Sequence, residues 1–185
     1  MRLFTGIEIP EDVKNRLELL IERLRPTANL KWSPVHNLHI TTKFIGEWSS
    51  SRLDELAFAL REVTGPGPIE VEISGLGWFP NPQNPRVFWA GIQSGVADLA
   101  EVANATESAL ERLGIAREDR PFAPHLTLAR VRQPVGLNAM RQALANLDSS
   151  NFGKFAVSQF HLYLSEPGSS GSVYTKLYDF PLARA

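Results

Sequence analysis

Two short runs carry most of the chemistry in this sequence, "NLHITTKFIG" at 37–46 and "PHLTLAR" at 124–130. Each places a histidine, one apolar residue and a threonine in what reads as a strand. Side chains alternate faces along a strand. His39 and Thr41 therefore share one face while Ile40, Thr42 and Phe44 take the other, and His125 and Thr127 likewise oppose Leu126 and Leu128. One histidine lies in each half of the chain, which suggests two lobes related by an approximate two-fold axis and facing each other across a cleft. Paired imidazoles suit in-line displacement at phosphorus, where one group takes a proton from the attacking oxygen and another gives one to the leaving oxygen; histidine titrates near neutrality and can do either. The neighbouring threonine hydroxyls can hydrogen-bond the non-bridging phosphoryl oxygens. The scheme calls for no metal ion and no cofactor. A single such histidine would more often be structural, and it is the repetition that points to a joint site. His36 and His161 lack the threonine and any metal-ligand set, and read as structural.

The elements that must hold these runs are legible in outline. Alternation in "RLFTGIEI" gives a strand, and "PEDVKNRLELLIERLR" gives a helix with Pro10 at its start, Glu11 and Asp12 where the dipole favours anions, and a stripe of Leu17, Leu20, Ile21 and Leu24. "LKWS" and "HITTKFI" read as strands, and "SSSRLDELAFALREV" as a helix capped by its serines. After the break at "GPGP" come "IEVEISGLGWF" (69–79) and "RVFWAGIQ" (86–93), a long hairpin joined by "PNPQNP". A helix over 96–114 ends at Gly114, "HLTLARV" is another strand, a short helix spans about 136–147, and "FAVSQFHLYLS" and "VYTKLYDFPL" close the chain as strands. Strands following strands favour an antiparallel α+β fold over a parallel doubly wound sheet. No linker divides the chain, so 1–185 reads as one domain of two intertwined lobes, sheets lining the cleft and helices outside.

Composition narrows the function. The 185 residues are 43% hydrophobic, enough for a core, and 19 basic against 20 acidic side chains leave a net charge of −1. No global cationic field attracts nucleic acid, so any such ligand must be held locally. Cysteine is absent, which excludes disulfides, thiolate zinc and a thiol nucleophile and suits a reducing cytoplasm. Neither a signal peptide nor a membrane span is evident, and a monomer in the cytoplasm is expected. "GLGWFP" lacks the third glycine of a dinucleotide loop, "GSSGS" at 168–172 reads as a hairpin loop able to touch ligand, and phosphate-binding-loop and H-E-x-x-H patterns are missing.

Together with "MRLFTGIEIP" and the "GLGWFPNPQNPRVFWAGI" hairpin, the two runs resemble the 2H phosphoesterases, and among them the RNA 2′,3′-cyclic phosphodiesterases also known as 2′-5′ RNA ligases. The resemblance implies hydrolysis of a terminal 2′,3′-cyclic phosphate to a 2′-phosphate, with weak reversible 2′-5′ joining; RNA 3′ ends or small cyclic-phosphate nucleotides are the implied partners. It implies His39 as the acid that protonates the departing 3′ oxygen and His125 as the base that activates water, roles the residues alone leave symmetric. Thr41 and Thr127 would hold phosphoryl oxygens. Arg130 would add a bidentate contact, which requires a bulge or strand end because strict alternation turns it from the cleft. Lys43 is a weaker candidate on the His39 face, and Phe4 a candidate for base stacking. Thr42 stands where the family usually has an aliphatic residue, with consequences for packing only. Two other readings stay open: a phosphodiesterase of a small cyclic nucleotide or 2′-5′ oligonucleotide, and a non-catalytic module that binds nucleotides or RNA ends.

Overall fold

The computed structural model describes residues 1–169 and 171–182. The first alternating run forms β1 (Arg2–Glu8), and Glu11–Leu24 forms α1, buried along Val13, Leu17, Leu20, Ile21 and Leu24. Then follow β2 (Lys31–Trp32), β3 (His39–Glu47) and α2 (Leu53–Arg61). The hairpin is β4 (Ile69–Phe79) and β5 (Val87–Ser94), and α3 (Val96–Glu111) leads to β6 (His125–Arg130). The chain continues through α4 (Asn138–Ala145), β7 (Asn151–Val157), β8 (Gln159–Gly168) and β9 (Gly171–Pro181).

All strand pairs are antiparallel, in two sheets. Sheet A has the order β3-β1-β8-β9 and sheet B the order β2-β6-β5-β4-β7. Sheet A thus joins early strands to late ones, and sheet B is built from β4 to β7 with β2, drawn from between β1 and β3, at its edge. Each sheet buries one face under helices: α3 lies behind β3, and α1 behind β7, where Arg16 Nη1 donates to the Phe152 carbonyl at 3.1 Å. The buried side chains Ile40, Leu126, Leu128, Phe88, Leu56 and Leu110 belong to one continuous core. No helix of the described residues is long and apolar enough to cross a membrane.

Three local expectations are corrected. The serines do not cap α2. A 3-10 turn, Ser50–Arg52, precedes it, Arg52 takes the cap position without a side-chain bond, and the Ser49 and Ser51 hydroxyls bond each other at 2.8 Å. "FAVSQFHLYLS" is not one strand: the chain leaves sheet B at Val157 and enters sheet A at Gln159, so a continuous apolar pattern conceals a change of sheet. "LKWS" yields only the two-residue strand β2. The end of α3 is as expected. Gly114 takes φ +82°, open to glycine at little cost, and lets the Ile115 amide return to the Leu110 carbonyl at 3.2 Å.

Candidate active site

Both histidines begin their strands, and both are oriented by the same device. His39 Nδ1–H donates to the carbonyl of Asn37 at 2.6 Å, and His125 Nδ1–H to that of Ala123 at 2.7 Å. With Nδ1 occupied in this way, Nε2 of each ring is the nitrogen left for chemistry. The Thr41 hydroxyl lies 3.0 Å from His39 Nε2 and donates to it while the ring is neutral. Both imidazoles are held below the ordinary histidine range. For His39 the main cause is burial, opposed by the Asn37 carbonyl and reinforced by the charge of His125; the strands that carry the two rings, β3 and β6, lie against each other. For His125 it is again burial, opposed by the Ala123 carbonyl and reinforced by the Arg130 guanidinium.

Past the threonines each strand does something alternation does not foresee. In β3 the partners of Thr5 and Gly6 are Lys43 and Thr41, so Thr42 is an extra residue; in β6 the partners of Phe88 and Trp89 are Ala129 and Thr127, so Leu128 is extra. These are β-bulges at equivalent positions, and each turns the following residues over. The burial sequence is identical in the two strands through the sixth residue: half-buried, buried, half-buried, buried, buried, exposed. Arg130 is thereby brought to the His125 face, as the sequence reading required. Phe44, expected on the opposite face, is brought to the His39 face instead, 60% exposed and 6.3 Å from the ring of Phe4. The sixth position is thus a guanidinium in one lobe and a phenyl ring in the other.

The bulge in β3 also moves Lys43. Its side chain is buried, with Nζ 2.9 Å from Glu107 of α3, 3.7 Å from Glu118 and donating to the Ala116 carbonyl at 2.7 Å. Lys43 is therefore not available to a phosphate; it ties β3 to the segment that leads into β6. Thr42 is also buried and shares a 2.7 Å hydrogen bond with Thr5, the packing consequence expected of it.

Phe4 is only 3% exposed. Tyr163 stacks on it at 5.0 Å, Tyr174 meets it edge-on at 5.0 Å and His39 lies over it at 4.7 Å, so packing takes the faces a base would need. It forms the floor beneath His39. Gly6, opposite Thr41, keeps that floor open, since a Cβ there would stand 3.0 Å from the Ile40 carbonyl and 3.3 Å from His39 Cδ2. In the other lobe Phe79 meets His125 edge-on at 4.9 Å. Sequence reasoning missed Phe79 and Tyr174, which reach the histidines from other strands, and Phe44, which the bulge turns over. His161 is packed as expected, 2% exposed and 2.7 Å from Asp179; burial still outweighs that carboxylate and holds its pKa below the usual value.

The duplicated geometry has a counterpart in known proteins. The family model described as LigT-like phosphoesterase matches twice, over residues 7–89 and 91–174. The chain belongs to the LigT-like phosphoesterases. An RNA 2′,3′-cyclic phosphodiesterase of Archaeoglobus fulgidus is 32% identical over 182 residues, covering 97% of this chain and 99% of that one. One of Thermus thermophilus is 35% identical over 188 residues, covering 98% and 90%. Among solved structures, TT0787 of Thermus thermophilus matches with a TM-score of 0.80 at 33% identity over 98% of each chain. The LigT of E. coli complexed with 3′-AMP matches with a TM-score of 0.81 at 25% identity over 99% of this chain and 98% of that one. This LigT-like phosphoesterase accordingly has the two-sheet, pseudo-symmetric α+β architecture of its relatives, with four helices in the described residues.

Proposed function

We propose that the protein hydrolyses the 2′,3′-cyclic phosphate of an RNA 3′ end to a 2′-phosphomonoester. The observation that carries this is the pair of equally oriented imidazoles, each followed by a bulged strand, one bulge delivering Arg130 and the other Phe44. That asymmetry supports a direction. Phe44 offers an exposed ring to the terminal base, which puts the ribose beside His39, and Arg130 offers a two-pronged contact to the phosphoryl oxygens beside His125. Water then enters from the His125 side. His125 Nε2 takes its proton as the new P–O bond forms, the P–O3′ bond breaks in line, and His39 Nε2–H gives its proton to O3′. Thr41 and Thr127 hold the non-bridging oxygens. Where a 5′-hydroxyl replaces the water, the same steps form a 2′-5′ linkage. Both histidines come from one chain, so a monomer is sufficient, and a chain without cysteine suits the cytoplasm.

The direct test is the product. A cyclic-phosphate RNA end should yield only the 2′-phosphate; a 3′-phosphate would mean that O2′ leaves and would reverse the acid and base. Every proton has an assigned histidine, so turnover should persist in EDTA, and its loss would sink the metal-free scheme.

Two further expectations follow from the geometry. Phe44→Ala should raise KM for nucleoside cyclic phosphates roughly tenfold, the usual scale of one base–aromatic stack, and leave glycerol 1,2-cyclic phosphate unaffected. Equal effects on both compounds would remove the stacking role. The kcat/KM profile should be bell-shaped with its maximum on the acid side of the ordinary histidine value, because both imidazoles are held low and activity falls as the acid loses its proton. The kcat profile should lie at higher pH, since a bound phosphate anion favours protonated imidazole. A kcat profile at lower pH than kcat/KM would contradict the proposed contacts.

A further inference from the structure

The edge of sheet B next to His125 holds a cation that the steps above leave unused. β2 pairs with β6 so that Lys31 stands opposite Arg130 and Trp32 opposite Ala129. Trp32 turns to the helix-backed face, edge-on to Phe88 at 6.3 Å. Directly opposed residues of a strand pair share a face, so Lys31 points to the cleft side beside Arg130, and both residues are exposed. Among the described residues, neither cation takes part in an ion pair. Like charges directly opposite each other across two strands are unfavourable, and no carboxylate of the described residues pairs with either to relieve them. Two exposed cations side by side, neither ion-paired, are suited to bind anions.

We propose that Lys31 and Arg130 form a two-phosphate subsite, with Arg130 on the reacting phosphoryl group and Lys31 on the phosphodiester of the adjoining nucleotide. The preferred substrate is then the end of an oligonucleotide rather than a mononucleotide, a deepening that rests on the cyclic phosphodiesterase reading. The residue types fit the two tasks. A rigid guanidinium fork suits the phosphoryl group that must be held in one geometry, and a flexible ammonium suits a neighbouring phosphate whose position varies with the sugar. β2 is the edge strand of its sheet, so no further strand bars the RNA from continuing past Lys31. In a protein of net charge −1, such a local pair is also how an RNA backbone has to be attracted.

Binding of products tests the subsite without depending on turnover. Wild type and Lys31→Gln are titrated at several salt concentrations with adenosine 2′-monophosphate and with a diadenylate carrying a 2′-phosphate at its 3′ end. The substitution should weaken the diadenylate roughly tenfold, the worth of one charge-assisted contact, while leaving the mononucleotide within about twofold. It should also lower the slope of log affinity against log salt by about 0.7 for the diadenylate alone. Equal weakening of both ligands, no weakening of the diadenylate, or failure of the wild type to bind either would overturn the proposal. Hydrolysis of the matching cyclic phosphates is measured in parallel. A wild type that prefers the diadenylate through Lys31 yet hydrolyses neither cyclic phosphate sustains the subsite and sinks the phosphodiesterase reading.

Discussion

Replacing His125 with alanine should lower kcat on a cyclic-phosphate RNA end by about two to four orders of magnitude, the usual contribution of a positioned general base, while the thermal midpoint moves by only a few degrees. The second half of this expectation separates catalysis from structure. His125 is only partly buried, and its hydrogen-bond partner is a backbone carbonyl two residues away, so little folding energy depends on the ring. The limb of the pH profile that reports the base should vanish with it, and His39→Ala should remove the opposite limb. His161→Ala is the control. That ring is buried and paired with Asp179 on the same sheet, so its loss should show in stability and scarcely in kcat. A His125→Ala protein that melted early and kept its residual pH dependence would return the histidine to a structural role. Acidification has a related effect on the native protein: His39, His125 and His161 all have lowered folded-state values, so the stability they contribute is present above the ordinary histidine pKa and is lost as pH falls through those values.

Lys43→Met should be the most damaging single change for the fold. The ammonium is buried between Glu107, the Ala116 carbonyl and, at the rim, Glu118, and removing it leaves a carboxylate in α3 with its main partner gone. Breaking a buried pair of this kind costs about 3–5 kcal/mol, which for a chain of this size lowers Tm by roughly 6–20 °C. Adding Glu107→Leu should recover most of the loss, because an apolar pair of similar volume in place of a buried ion pair is often close to neutral. Differential scanning calorimetry of the single and double variants decides it. A Lys43→Met protein of unchanged Tm but weakened phosphate binding would restore the role that the strand pattern suggests.

The histidines, the threonines and the α+β class are legible in the sequence because they depend on local properties: alternation, spacing and the repetition of one pattern. What alternation cannot supply is the outcome after Thr41. A bulge is decided by which partner residues the strand meets, here Thr5 and Gly6, and those lie far away in the chain. Strict alternation therefore puts Phe44 behind the strand and Lys43 in the cleft, and the fold exchanges them. Arg130 reaches the cleft only through a bulge, and Phe44 occupies the matching position, so the same requirement applied to the first run would have found it. The break at Ser158 is hidden for a related reason, since apolar residues on either side of it serve different sheets with no change in pattern.

The strand order of sheet A bears on how the protein comes into being. β1 has His39's strand on one side and β8 on the other, and β8 is made only after all of sheet B. While the nascent chain lacks β8 and β9, β1 presents an open edge, and Phe4 has neither Tyr163 nor Tyr174 against it. The floor under the first histidine is thus among the last parts to be laid. Although the two halves look like repeats, neither is a self-sufficient unit that could be cut out and kept, and the enzyme should gain its activity in one late, cooperative step of synthesis rather than lobe by lobe.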